Sequence, residues 1–155
     1  MKTAQWAAIT AATMLVLGEL ALAAPEKDPL KPRVPADQMA EAKKLSTSLY
    51  QDARQAPAKL VQEGKALYEG KGTCFNCHGK SGKGDGAAGA VLDPGPRDLT
   101  NCQFQSKRSD GELFWIIKNG SPGTGMVSLV PGALTEEEAW KVIAYVRSFC
   151  AKGGK

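Results

Sequence analysis

The pentapeptide Cys74-Phe75-Asn76-Cys77-His78 constrains this chain more than any other feature. It has the form C-x-x-C-H, a pattern typical of covalent c-type haem attachment. Two thiols at this spacing can add to the two vinyl groups of one porphyrin, and the next imidazole can then bind the iron. Because His78 is the only histidine in the chain, no other imidazole competes for that position. The motif therefore predicts a fold wrapped around one covalently attached haem.

The alternatives for this motif are a zinc site and a thioredoxin-like redox pair. A zinc site requires four nitrogen or sulfur ligands. Cys74, Cys77, Cys102 and Cys150 supply that number, but one CxxC pair with two isolated thiols is an irregular spacing. A thioredoxin-like pair belongs to a βαβ pattern, and no strand signal precedes Cys74. The sequence therefore favours haem attachment over both alternatives.

The first 23 residues have the pattern of a secretory signal peptide. Lys2 gives a positive start, an apolar run follows over 6–17, and Ala21-Leu22-Ala23 is a small-x-small cleavage site. We expect cleavage after Ala23 and a periplasmic location. The alternative is a retained membrane anchor, since the apolar stretch approaches the ~20 residues that span a bilayer, although Glu19 interrupts it.

Charge and hydropathy limit the possible partners. The 155 residues carry a net charge of +4, and basic and aromatic residues are not interleaved, so no nucleic-acid partner is expected. Lys71, Lys80 and Lys83 flank the haem motif and favour an acidic docking partner, or else they form a solvated loop face. No other stretch approaches transmembrane length, so we expect no membrane span once the signal is removed.

Residues 24–56 are predicted to form an extension outside the haem core. Four prolines among charged residues over 24–35 indicate a stiff, exposed linker. Apolar residues then recur at near-helical spacing from Met39 to Ala53, which predicts an amphipathic helix over 36–54 that ends before Pro57. We expect this helix to pack on the core or on a partner.

Residues 57–152 are predicted to form an all-α haem domain. Leu60, Gly64 and Leu67 share one face of a helix over 58–69, and the glycine-rich stretch 79–96 is expected to be a loop that wraps the haem. Capping boxes at 109–112 and 135–138 begin two further helices, which end near 120 and 150. The fold class is therefore a small helical domain with an N-terminal helical extension.

A second iron ligand is available in the glycine loop between those two helices. Beyond Cys77 the chain contains one methionine, Met126, in the stretch Gly120-Ser121-Pro122-Gly123-Thr124-Gly125-Met126. The alternative role of a methionine is to fill a gap in the core, but a glycine loop offers little core to fill. His78 and Met126 together would fill both axial positions, exclude O₂ and raise the reduction potential.

These residues resemble class I cytochrome c, in its bacterial monohaem form, over residues 57–150. Cys74, Cys77 and His78 match the haem motif of the family, and Gly123-Thr124-Gly125-Met126 matches its axial-methionine loop. Val127 is a departure, because the family very often has proline there. The resemblance implies one haem c, covalently attached, with His78 and Met126 as the iron ligands.

The resemblance also implies roles for residues around the haem. Gly64 and Tyr68 are similar to the glycine–aromatic pair at which the first helix of the family crosses the last. Pro96 resembles the residue whose carbonyl accepts a hydrogen bond from the axial imidazole, a contact that tunes the ligand. Arg97 and Trp115 are candidates to contact a haem propionate.

Cys102 and Cys150 lie outside the shared pattern of the family. Cys102 follows the haem-wrapping loop, and Cys150 ends the last helix. We predict that they form a disulfide, which export to an oxidising compartment would permit. Two free buried thiols and intermolecular pairing are the alternatives.

Three functions are compatible with these observations. The first is an exported monomeric electron carrier, without enzymatic activity, that docks transiently with a redox donor and an acceptor. The second is a tightly bound haem subunit of a larger periplasmic oxidoreductase, with the helix at 36–54 as its docking element. The third, a haem enzyme or gas sensor, requires Met126 to be detached from the iron.

Overall fold

The computed structural model describes residues 28–151. In that range the secondary structure is helical, with no strand, which confirms the all-α prediction. The helices are α1 Met39–Ala42, α2 Ala58–Glu69, α3 Phe75–His78, α4 Cys102–Ser106, α5 Asp110–Asn119 and α6 Glu136–Ala151, with 3₁₀ turns at Ala53–Gln55 and Ala87–Gly89. The predicted signal peptide lies outside the described residues. No helix within 28–151 has the length and apolar character to cross a membrane.

The scaffold of the fold is the crossing of α2 and α6. Gly64 lies at the crossing point, where an added Cβ would be 1.9 Å from the Lys141 carbonyl oxygen. Glycine therefore lets the two backbones approach more closely than any side chain would allow. One turn further on, the rings of Tyr68 and Tyr145 meet edge to face, with their centroids 5.2 Å apart. The helix crossing that the resemblance implied is present.

Both predicted capping boxes are formed, and they fix where α5 and α6 begin. The Glu112 amide donates to Ser109 Oγ at 3.1 Å, and the Ser109 amide donates to Glu112 Oε2 at 2.7 Å. Thr135 and Glu138 exchange the equivalent bonds at 3.2 and 2.8 Å. Each box satisfies two backbone donors that the first helical turn leaves without partners, so both helices begin where the sequence predicted.

The predicted helix over 36–54 is wrong in extent, because α1 covers only Met39–Ala42. Beyond it, Thr47 Oγ1 accepts from the Leu49 amide and the Asp52 carboxylate accepts from the Arg54 amide. Such local bonds give the backbone an alternative to the helix. The apolar residues at near-helical spacing still reach the core: Ala42 is fully buried, and Leu45, Leu49 and Tyr50 pack against the core residues.

The exposed linker predicted over 24–35 is correct only in part for its described residues, because Asp28, Pro29, Lys31 and Pro32 are exposed but others face inward. Leu30 packs against the core, and Val34 is only 6% exposed. Further along the extension, the Tyr50 hydroxyl donates to the Trp140 carbonyl at 2.7 Å, and the Ala53 amide donates to Asp110 Oδ2 at 2.8 Å. The described extension is therefore packed on the helical domain.

The predicted disulfide is present between Cys102 and Cys150, whose Cα atoms are 5.5 Å apart. It ties the end of α6 to α4, a short helix that the sequence analysis did not predict. Behind the disulfide, the fully buried Arg147 donates to Asp110 Oδ1 at 2.7 Å and to the Gln105 carbonyl at 2.6 Å. A buried charge requires such partners, and this network links α4, α5 and α6.

Candidate functional site

A single helical turn, α3, presents the CxxCH motif to an apolar cleft. The His78 amide donates to the Cys74 carbonyl at 2.9 Å, which closes the turn. Side chains three and four positions apart share one face of a helix, so Cys74, Cys77 and His78 all line the cleft. Neither thiol is in a disulfide. The sequence motif is thus brought together on one wall.

The remaining walls of the cleft come from α2, α4, α5 and α6, from the loops before α4 and before α6, and from residues 33–34. They are mainly aliphatic, as is typical of cofactor sites, with a few polar groups to fix orientation. The aliphatic members include Leu92, Leu99, Leu113, Ile116, Ile117, Leu129, Val142, Ile143 and Val146. Part of the apolar interior of this small domain therefore faces the cleft, including the buried side chains of Leu99, Val142, Ile143 and Val146.

The His78 ring is fixed in one tautomer by the loop that faces it. Its Nδ1 lies 3.0 Å from the Arg97 carbonyl oxygen, and a carbonyl can only accept, so Nδ1 carries the proton. Nε2 then has a free lone pair. Burial lowers the pKa of His78, which favours the neutral imidazole that can bind a metal.

The hydrogen-bond acceptor differs from the prediction by one residue. The sequence resemblance assigned this role to the Pro96 carbonyl, but the bond goes to Arg97. The loop instead turns the Pro96 carbonyl towards Gly84, where an added Cβ would lie 2.7 Å from the oxygen. Pro96 still lines the cleft.

Met126 lines the same cleft as His78, and the loop that carries it is folded back on itself. The Ser121 amide donates to the Met126 carbonyl at 2.9 Å, and the Met126 amide donates to Thr124 Oγ1 at 3.2 Å. Gly120 and Gly123 have φ values of 79° and 72°, a region that glycine occupies without strain. The glycine loop therefore holds the thioether at the cleft.

The zinc alternative does not fit this arrangement. Cys102 and Cys150 are bridged to each other, so they cannot act as thiolate ligands. Burial raises the pKa of the Cys74 thiol to about 11, whereas a zinc site needs thiolates. Across residues 28–151 no three His, Cys, Asp or Glu side chains are grouped in a way that would hold a metal ion.

The polar part of the cleft contains Arg33, Arg97, Arg108 and Glu112. Burial lowers the pKa of Arg97, and the charges of Arg33 and Arg108 lower it further. Within the described residues, Arg97 Nε and Ser121 Oγ are buried without a hydrogen-bond partner. A buried polar atom without a partner is costly. Because both residues line the cleft, a bound group that carries acceptor oxygens fits this site.

Trp115 is not among the described residues that line the cleft. The residues of α5 that line the cleft are Glu112, Leu113, Ile116 and Ile117. Trp115 is on another side of the helix. Sequence reasoning missed Arg33, Val34, Arg108 and Glu112 as cleft residues. Glu112 was identified in the sequence only as part of a helix cap. Arg33 was missed because the proline-rich composition around it indicated a linker.

The helical fold, the CxxCH turn and the apolar cleft together define a c-type cytochrome domain. The family described as "Cytochrome C oxidase, cbb3-type, subunit III" matches residues 59–146, and the chain belongs to it. This confirms the resemblance to bacterial cytochrome c, and it makes electron transfer the general role of the chain.

A solved structure extends the comparison beyond the family match. A chain of the Kuenenia stuttgartiensis reducing HAO-like protein complex Kustc0457/Kustc0458 is 28% identical to this one, with a TM-score of 0.55. The similarity covers 73% of this chain and 54% of that chain, so this protein spans about half the length of its neighbour. No curated protein matches the sequence.

Proposed function

We propose that this protein is an exported monohaem c-type cytochrome that carries single electrons between redox proteins. One haem is attached through Cys74 and Cys77, and its iron is held by His78 and Met126. The observation that carries the proposal is that the CxxCH turn and the methionine loop line the same cleft. The signal-like pattern of residues 1–23 supports export to the periplasm.

The side chains of the cleft have distinct tasks in this proposal. Haem c supplies the redox-active iron, and His/Met ligation favours its reduced form. His78 binds through Nε2 because Nδ1 is committed to the Arg97 carbonyl. Met126 occupies the position that O₂ would otherwise take. The aliphatic walls exclude water, which also favours the less charged, reduced state.

The polar groups orient the propionate edge of the haem. Arg97 Nε and Ser121 Oγ are buried donors without partners in the described structure, and propionate oxygens are suitable acceptors. Trp115, the other residue suggested for this role, does not line the cleft within the described residues. We therefore propose that Arg97 and Ser121, rather than Trp115, contact the propionates.

The lysines near the haem motif differ in their availability to a docking partner. Lys71 Nζ lies 2.8 Å from Glu138 Oε2, so its charge is partly compensated. Lys80 and Lys83 are exposed. A transient acidic partner would therefore meet Lys80 and Lys83 first, and weak, salt-sensitive docking suits a carrier that must dissociate.

A tightly bound subunit of a larger oxidoreductase is the second candidate function. The family description names an oxidase subunit, and the solved neighbour belongs to a two-protein complex. Gel filtration of the native protein separates the candidates. A free carrier elutes as a monomer, whereas persistent co-elution with a catalytic subunit contradicts the free-carrier proposal.

Carbon monoxide binding to the reduced native protein tests the proposed ligation. With Met126 on the iron, the absorption spectrum at neutral pH should not change when carbon monoxide is added. Rapid conversion to a carbon monoxide complex would show an open iron site. The protein would then be a candidate gas sensor or haem enzyme rather than an electron carrier.

A further inference from the structure

Residues 28–34, which we call the N-terminal strap, precede the family-matched residues and lie against the cleft. We propose that this strap forms part of the haem site. In this proposal Val34 seals the cleft from water, and Arg33 supplies positive charge to the bound haem. The inference rests on the proposed function and deepens it, because it assigns control of the reduction potential to residues outside the family match at 59–146.

Two strap side chains reach the cleft itself. Val34 is 6% exposed and lines the cleft, and the half-buried Arg33 lines it as well. Leu30, at the other end of the strap, packs against the core. The neighbouring side chains of Lys31 and Pro32 are exposed. The strap therefore has an inner face that is directed at the haem site.

The strap is held by the walls of the cleft. Arg97 Nη1 donates to the Asp28 carbonyl at 2.9 Å, and its Nη2 donates to the Lys31 carbonyl. Arg108 Nη2 donates to the Leu30 carbonyl. Hydrogen bonds from charged donors are stronger than neutral ones. Since both arginines line the cleft, the position of the strap and the polar end of the haem site are coupled.

The arginine pair is itself fixed by a shared aromatic ring. The guanidinium carbons of Arg97 and Arg108 lie 5.5 and 5.7 Å from the ring centroid of Phe104, which is buried and also lines the cleft. Both distances are within the range of a cation–π contact. Phe104 thus positions the two side chains that hold the strap.

The charges at this end of the cleft are unbalanced. Arg33, Arg97 and Arg108 face one carboxylate, Glu112, whose Oε1 lies 4.0 Å from Arg108 Nη1. No described salt bridge involves Arg33. Asp28, which does not line the cleft, also acts on Arg97, so three positive groups meet two carboxylates. The remaining positive charge suits a ligand that brings carboxylates of its own, as haem does. Arg33 is the member of this cluster that the strap contributes.

The consequence is a reduction potential that depends on the strap. Reduction adds an electron to the iron, and a positive charge nearby stabilises the reduced state, more strongly where water is excluded. Removal of the Arg33 charge should therefore lower the potential. Shortening Val34 should act in the same direction by admitting water, which stabilises the oxidised iron.

Redox titration of the full-length, haem-loaded protein tests this inference with matched controls. Arg33→Gln should lower the midpoint potential, and Arg33→Lys should restore most of the difference. Lys31→Gln removes the same charge from an exposed strap residue and should leave the potential near that of the native protein. Val34→Ala should lower the potential more than Val130→Ala, because Val130 is 7% exposed but lies outside the residues that line the cleft.

Equal shifts in Arg33→Gln and Lys31→Gln, or no shift in either, would overturn the assignment of Arg33. Equal effects of Val34→Ala and Val130→Ala would overturn the sealing role of Val34. In both cases a haem-loaded protein that does not bind carbon monoxide would leave the proposed function standing. A native protein without haem would overturn the proposed function and the strap together.

Discussion

At the scale of single residues, the proposed function depends on two side chains that line the cleft, His78 and Met126. A hydrogen bond from His78 Nδ1 to the Arg97 carbonyl at 3.0 Å fixes the tautomer of the ring and leaves Nε2 free to bind a metal. The folded glycine loop fixes Met126, whose carbonyl accepts from the Ser121 amide and whose amide donates to Thr124 Oγ1. If both side chains bind the iron as proposed, their fixed placement would keep the site similar in its two oxidation states and would favour rapid electron transfer.

The first prediction concerns Met126. Met126→Ala removes the thioether, so the oxidised protein should lose the long-wavelength absorption band of a sulfur–iron(III) bond. The reduced variant should gain carbon monoxide binding, because one axial position becomes open. Absorption spectroscopy with and without carbon monoxide measures both effects.

Met39→Ala is the matched control for this prediction. Met39 belongs to α1 and is outside the described residues that line the cleft, so this variant should keep the native spectrum. An unchanged spectrum in Met126→Ala would mean that another group binds the iron.

At the scale of helices, the α2–α6 crossing limits which residues the chain can accept. Gly64→Ala would place a Cβ 1.9 Å from the Lys141 carbonyl oxygen. Alanine gains roughly 0.5–1 kcal/mol of helix propensity over glycine, but overpacking typically costs about 1–3 kcal/mol, and more where backbone must move. We expect the clash to dominate and the free energy of unfolding to fall, as measured by urea denaturation.

Gly132→Ala provides the comparison for that measurement. An added Cβ at Gly132 meets nothing within 4 Å, so the free energy of unfolding should change by no more than about 0.5 kcal/mol. Equal stability of the two variants would show that the helices do not cross as closely as described.

The disulfide between α4 and α6 should contribute substantially to stability. Cys102 and Cys150 are 48 residues apart in sequence, and the loop-entropy relation gives about 4 kcal/mol for such a loop. The Cys102→Ser/Cys150→Ser variant should therefore unfold at lower urea concentration with an unchanged haem spectrum, because neither residue lines the cleft. A reductant should destabilise the native protein and leave the variant unaffected. Equal stability of the two proteins would contradict the contribution assigned to the bridge.

The sequence predicted some helices better than others. It succeeded where bonds among neighbouring residues fix the ends of a helix, and it failed where distant contacts shape the chain. The bounds of α5 and α6 follow from capping boxes, which are bonds among neighbouring residues. The helix predicted over 36–54 is shorter than expected because local bonds at Thr47 and Asp52 compete with it, and because its apolar spacing reflects packing on α5 and α6. Gly111 touches the carbonyls of Ala42 and Leu45 so closely that an added Cβ would lie 2.2 and 2.7 Å from them. Such a tertiary contact leaves no local signal.

The same distinction between local signals and tertiary contacts applies to the candidate site. Cys74, Cys77, His78 and Met126 were found because their types and spacing carry the chemistry, and the fold brings all four to one cleft. The hydrogen-bond partner of His78 was displaced by one residue, since loop geometry decides which carbonyl faces the ring. Arg33 and Val34 were missed because their role depends on a distant contact between the strap and Arg97.

At the scale of the whole molecule, the cleft and the hydrophobic core overlap. Leu99, Phe104, Val142, Ile143 and Val146 belong to the buried core and also line the cleft. The core thus extends into the walls of the cleft, although other core residues, among them Phe114, Leu134 and Trp140, are outside the cleft lining. The strap, the glycine loops and the α2–α6 pair are therefore best understood as the enclosure of one bound group, which is the central claim of the proposed function.

Intact-mass spectrometry of the protein matured in a bacterium that attaches c-type haem tests this claim most directly. We predict a mass that exceeds the signal-cleaved polypeptide by one haem, and that stays raised after denaturation because the bonds to Cys74 and Cys77 are covalent. The Cys74→Ser/Cys77→Ser protein should lose that addition. A native protein that has the bare polypeptide mass after maturation would contradict the account.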